Sequence, residues 1–93
     1  MISVSSVLKP RDDLRYRIID GEAVVVRQEA AELIVLNETG ARILELLDGA
    51  RSVAHIVDTM AQEFQVSRAD LERDVLSFVQ ELAELGAAVE VAR

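Results

Sequence analysis

No cysteine occurs among the 93 residues, which rules out disulfides, thiolate metal sites and a cysteine nucleophile, and is compatible with a reducing compartment. Aromatic residues make up only 3% of a chain that is 51% hydrophobic, so its interior has to be built from Val, Leu, Ile and Ala. There is a single histidine, His55. Alone it cannot make a zinc site unless carboxylates complete it, and general-base work would need a nucleophile and an orienting group. It reads as a solvated helix residue, so the expectation is no metal, no cofactor and no catalysis. No run approaches the ~20 apolar residues that cross a bilayer. Met1–Pro10 does not look like a signal peptide, because its one basic residue, Lys9, follows the apolar positions instead of preceding them. A cytoplasmic location is the expectation.

Positive charge is also short. The formal net charge is −7, and it is unevenly spread: residues 1–36 sum to −1 and residues 37–93 to −6. Duplex DNA is held mainly by Lys and Arg on its phosphates, and anionic membranes select for the same residues. The second part of the chain is suited to neither.

A chain of this size makes one domain, with residues 1–13 expected as an irregular N-terminal segment ended by Pro10 and Arg11-Asp12-Asp13. Leu14–Ile19 and Glu22–Arg27 flank Asp20-Gly21, a two-residue turn suited to a tight hairpin. Val24-Val25-Val26 favours a strand, because β-branched side chains sit well on a pleated surface. After a connection over Gln28–Ala31, Glu32–Leu36 reads as a third antiparallel strand. The apolar period then changes. Asn37 can cap a helix over Glu38–Leu47, and Asp48-Gly49 stops it. Ser52 can open a second helix, with Val53, Ile56, Val57, Met60 and Phe64 at helical spacing. Ser67 and Asp70 have the pattern of a capping box opening a third, whose apolar face is Leu71, Val75, Phe78, Val79, Leu82 and Leu85. Gly86 ends it, and Ala87–Val91 forms a short strand or an extended tail. The fold class is α+β: a three-stranded antiparallel sheet followed by three helices, the shape of a winged helix-turn-helix.

The two Asp-Gly pairs are turns and nothing more. They lack the spaced oxygen ligands of a calcium loop and the Gly-rich run with Lys-Ser/Thr of a phosphate loop. One feature does not fit a minimal domain. Val24–Val26 and Leu33–Leu36 are continuously apolar, whereas a half-exposed antiparallel strand should alternate. Three helices cover one sheet face, so a partner, a second copy of the chain or the Ile2–Leu8 segment has to cover what is left.

The order LN-x-TGA-x-IL-x-L-x-DG-x-x-(S/T)-V-x-x-I, running from Leu36 to Ile56, resembles the PqqD family of the pyrroloquinoline-quinone pathway. The resemblance extends over roughly Leu8 to Val89. It implies a small non-catalytic adaptor that binds the leader segment of a ribosomally made precursor peptide and presents it to a modifying enzyme, of the radical S-adenosylmethionine type in founding members and of other types in lasso-peptide relatives. It also implies that the leader adds as a strand beside the third strand, in a groove against the third helix. Carried onto this chain, the receiving strand is Glu32, Leu33, Ile34 and Val35, and the opposite wall is Leu71, Asp74, Val75 and Phe78. Asp74 has two readings, a hydrogen bond to a neighbouring loop or a contact with peptide. Leu36, Asn37, Thr39 and Gly40 are expected to hold the strand-to-helix corner. Two rival functions are a homodimeric structural module that buries the apolar strands, and an acidic winged-helix transcription regulator. The second is disfavoured because only Arg68 and Arg73 are basic on the third helix.

Overall fold

The computed structural model describes residues 2–28 and 31–91. In chain order the elements are β1 (Leu8–Pro10), β2 (Leu14–Ile19), β3 (Glu22–Arg27), β4 (Glu32–Leu36), α1 (Glu38–Leu46), α2 (Val53–Glu63), α3 (Arg68–Glu84) and β5 (Ala88–Glu90). The strands form a three-stranded antiparallel sheet in the order β2-β3-β4 and a separate antiparallel pair, β1-β5.

Local chemistry sets the boundaries. Asp20 (φ 51°) and Gly21 (φ 83°) are both left-handed, the signature of a type I′ turn, and the register runs from Ile19 opposite Glu22 to Leu14 opposite Arg27. Of the connection over Gln28–Ala31, residues 29 and 30 lie outside the described residues; at its ends the Ala31 N–H donates to the Gln28 carbonyl. Asn37 caps α1 by accepting from the Gly40 N–H at 2.9 Å, and Ser52 and Ser67 cap α2 and α3 in the same way. The reciprocal half of the expected capping box is not made, because the Asp70 carboxylate takes Arg73 instead. A Schellman motif closes α3: Ala87 N–H donates to Leu82 O, Gly86 N–H donates to Ala83 O, and Gly86 sits at φ 74°. Between α1 and α2, Asp48 accepts from the backbone N–H groups of Ala50 and Arg51, which holds its carboxyl below the usual value.

The helices pack on one face of the sheet. Val53, Ile56, Val57 and Met60 of α2, with Val75 and Val79 of α3, are wholly buried, together with Ala23 and Val25 on the inner side of β3. This confirms the α+β arrangement of an antiparallel sheet with three helices after it.

The N-terminal segment corrects the sequence reading. It was expected to be irregular; instead Leu8–Pro10 is a strand paired with β5, and Leu8 is fully buried. The segment before it supplies carbonyls that the start of α2 needs: Val53 N–H donates to Ser6 O and Ala54 N–H to Val4 O. The first N–H groups of a helix have no partner within it, so a chain laid across them is held in place. Ile2–Leu8 is thereby committed to the helical side. It does not cover the outer face of the sheet.

Candidate functional site at the open sheet edge

Strand β4 is an edge strand, and the hairpin turn fixes which of its backbone groups are free. A two-residue turn makes Ile19 and Glu22 a hydrogen-bonded pair, and bonding then alternates along the strand. Val24 therefore bonds toward β2, while Ala23 and Val25 bond toward β4, opposite Leu36 and Ile34. The N–H and C=O groups of Leu33 and Val35 are left pointing out of the sheet. Their side chains stand on the outer face, 64% and 60% exposed, while that of Ile34 turns toward the helices and is half-buried.

Helix α3 lies alongside this edge. At the Leu36 end the Phe78 ring rests against Gly40, where a Cβ would come within 3.2 Å of it. At the other end Arg27, which pairs with Glu32 at 3.0 Å, reaches Gly86 just beyond α3. An open depression of about 320 Å³ lies between the start of α1 and α3, just beyond the Leu36 end of β4. Asn37, Thr39, Gly40 and Ile43 line one side and Asp74, Ser77, Phe78 and Glu81 the other.

The expected site residues thus divide. Leu33, Ile34 and Val35 form the edge, Glu32 is engaged by Arg27, and Asp74 and Phe78 line the depression. Leu71 and Val75 point into the core, 2% and 0% exposed. Asp74 is 62% exposed and makes no hydrogen bond to a loop among the described residues; its nearest charged partner is its neighbour Arg73 at 4.0 Å. Ser77, Glu81 and Ile43 were missed. The signal was available: Asp74, Ser77, Phe78 and Glu81 fall at i, i+3, i+4 and i+7, one stripe of a helix beside the buried one. Asn37 and Gly40 hold the corner, by the helix cap and by the close approach to Leu36, and with Thr39 they also form a wall.

Among the described residues no cluster of acidic residues and histidine is arranged to hold a metal ion, and no helix is long and apolar enough to cross a membrane. His55 is exposed on α2, away from this edge.

The class these features define is an α+β domain whose sheet ends in a strand with one free edge, with a helix laid beside it. The sequence profile of the family described as coenzyme PQQ synthesis protein D (PqqD) matches residues 22–87, and the chain belongs to that family. A "PqqA binding protein" of Rhodopseudomonas palustris (strain HaA2) is 43% identical, over 96% of this chain and 89% of its own length. Among solved structures, TbiB1 in complex with the TbiA(beta) leader peptide superposes with a TM-score of 0.81 at 29% identity, over 91% of this chain and 99% of that one. The PqqD truncation of Methylobacterium extorquens PqqCD, described as a stand-alone RiPP recognition element, has a TM-score of 0.80. At 23% identity, over 96% of this chain and 95% of that one, it speaks to the fold alone.

Proposed function

We propose that the chain is a non-catalytic adaptor, a single domain over residues 1–93, that binds the leader segment of a ribosomally made precursor and presents it to a modifying enzyme. In this reading the domain is a winged helix-turn-helix in which α2 and α3 are the helical pair and the β2-β3-β4 sheet is the wing. It works in the cytoplasm, and the enzyme is of the radical S-adenosylmethionine type or another of the types served by the family. The observation that carries the reading is the free edge of β4 facing α3. The leader adds as a strand to Leu33 and Val35, and its side chains on the helix side meet Ile34, Phe78 and Asp74. The carboxylates of Asp74 and Glu81 favour a basic or hydroxyl side chain in the depression. Support also comes from the leader peptide held by TbiB1 and from the printed name of the R. palustris relative.

Magnitudes fit a carrier that must also release its peptide. About four edge hydrogen bonds contribute ~0.5–1.5 kcal/mol each. Ordering a disordered leader offsets several kcal/mol of the gain from these bonds and the groove side chains. A Kd on the order of 0.1–10 μM follows.

Proline scanning of β4 tests the register. Val35→Pro removes an outward N–H and leaves the internal ladder intact, so it should weaken binding of the cognate leader about tenfold with a near-native melt. Ile34→Pro removes a bond to β3 and should instead lower the melting temperature. Backbone NMR shifts with the leader titrated in should change along β4 and α3. Unchanged leader affinity in a folded Val35→Pro chain would place the peptide elsewhere.

A further inference from the structure

Arg15 and Arg17 stand apart from the other arginines among the described residues. Arg11, Arg27, Arg42, Arg51, Arg68 and Arg73 each face a carboxylate within ion-pair distance. Arg15 donates only to the backbone carbonyls of Asp12 and Leu14, and Arg17 has no hydrogen-bond or ion-pair partner among the described residues. In a chain of net charge −7, with carboxylates in excess, two adjacent unneutralised arginines are a departure from the pattern.

Their position gives the departure a meaning. In the register Arg15 stands opposite Val26 and Arg17 opposite Val24, so both lie on the outer face, the one the helices do not cover. Beside them are Ile19, 50% exposed, and Val26, 37% exposed. A shallow groove of about 330 Å³ runs over Arg15, Arg17, Ile19, Val24 and Val26, with Tyr16 at its rim. An apolar strip next to two guanidinium groups that face no carboxylate is complementary to a surface that offers apolar side chains and carboxylates together.

We propose that the outer face of β2 and β3 is a second docking surface, which takes an apolar, carboxylate-bearing surface of the modifying enzyme while the β4 edge holds the leader. The naming of the enzyme rests on the function proposed above; the chemistry of the face does not. A second copy of the chain is a poorer occupant. Placing two such faces together brings four arginines into one interface against two carboxylates, the Glu22 of each copy, which leaves like charge in excess. An anionic bilayer is poorer too, since the remaining surface is strongly acidic.

The test compares the full chain with the Arg15→Glu/Arg17→Glu double variant against two probes: the leader peptide and the purified modifying enzyme encoded with it. The double variant should lose about tenfold in affinity for the enzyme, with a reduced salt dependence, and keep its leader affinity within about twofold. A control with the same charge change elsewhere, Arg51→Glu/Arg68→Glu, should leave enzyme binding in place. Because Arg15 also ties down the turn before β2, Arg17→Glu alone is the second variant and should lose about threefold. The proposal is overturned if the folded double variant holds the enzyme as wild type does, if it loses leader in equal measure, or if the control loses as much. Two further outcomes overturn it by naming another occupant: a wild-type dimer in sedimentation that the double variant dissolves, or wild-type binding to phosphatidylglycerol vesicles that it abolishes. A wild-type chain that binds the enzyme through this face and ignores the leader would keep the surface and sink the leader reading instead.

Discussion

Gly40 shows how one residue ties the corner of the fold to the proposed groove. It lies inside α1 with ordinary helical geometry, so its value is the close approach it permits. An added Cβ would sit 3.2 Å from the Phe78 ring and 3.3 Å from the Leu36 Cβ. The Leu36 Cβ is fixed by the strand, whereas the ring is the far end of a side chain and can swing. Gly40→Ala should therefore push Phe78 into the depression. Alanine favours a helix by about 1 kcal/mol over glycine, which offsets the crowding, so overall stability should change by less than about 1 kcal/mol. Leader affinity should fall about three- to tenfold, read by calorimetric titration beside a thermal melt. Equal affinity would mean that Phe78 is not a wall of the site. Asp74 and Val75 give the complementary lesson. Sequence reasoning placed both on the groove wall, but adjacent helix residues point about 100° apart. The stripe of Leu71, Val75, Val79 and Leu82 is consumed by the core, which leaves Val75 no exposed surface and turns Asp74 outward.

At the scale of elements, the strands and helices that carry strong local chemistry were legible. The Asp20-Gly21 turn set β2 and β3, the serine and asparagine caps set the helix starts, and the left-handed Gly86 set the end of α3. Strand β1 was not legible. Three residues that include a lysine and a proline show no period, and their pairing partner β5 lies at the opposite end of the sequence. The placement of Ile2–Leu8 was hidden for the same reason, since its carbonyls serve a helix that begins far along the chain. Its contribution is large all the same. Leu8 is fully buried, and Leu8→Ala removes a side chain from a closed packing site. We expect a loss of about 2–5 kcal/mol in urea unfolding, a severe deficit for a domain of this size. A loss below about 1 kcal/mol would show that the β1-β5 pair is peripheral to folding. The free edge of β4 was expected only through the family resemblance. Its register became derivable once the turn type was known.

At the scale of the whole molecule, charge separates the proposed adaptor from the rival of similar shape, a winged-helix regulator that grips DNA. Such a regulator would lay α3 in the major groove with basic side chains facing phosphates and base edges. Here α3 begins with Arg68 and Arg73, and both are already engaged, Arg68 by Asp58 and Arg73 by Asp70. The rest of the helix carries Glu72, Asp74, Glu81 and Glu84. Arg15 and Arg17, which face no carboxylate, lie on the outer face of the sheet, where α3 cannot bring them to the same groove. Neutralising phosphates would require breaking the existing ion pairs and carrying the acidic helix up against the duplex. Added salt screens that repulsion but also removes the counterion-release gain that drives binding. We therefore expect no sequence-specific retention of duplex DNA in a gel-shift assay at ~150 mM salt. Arg68→Glu/Arg73→Glu should leave that result unchanged. Specific retention by wild type, lost in this variant, would show that α3 reads DNA despite its charge, and the regulator would replace the adaptor as the function of the fold.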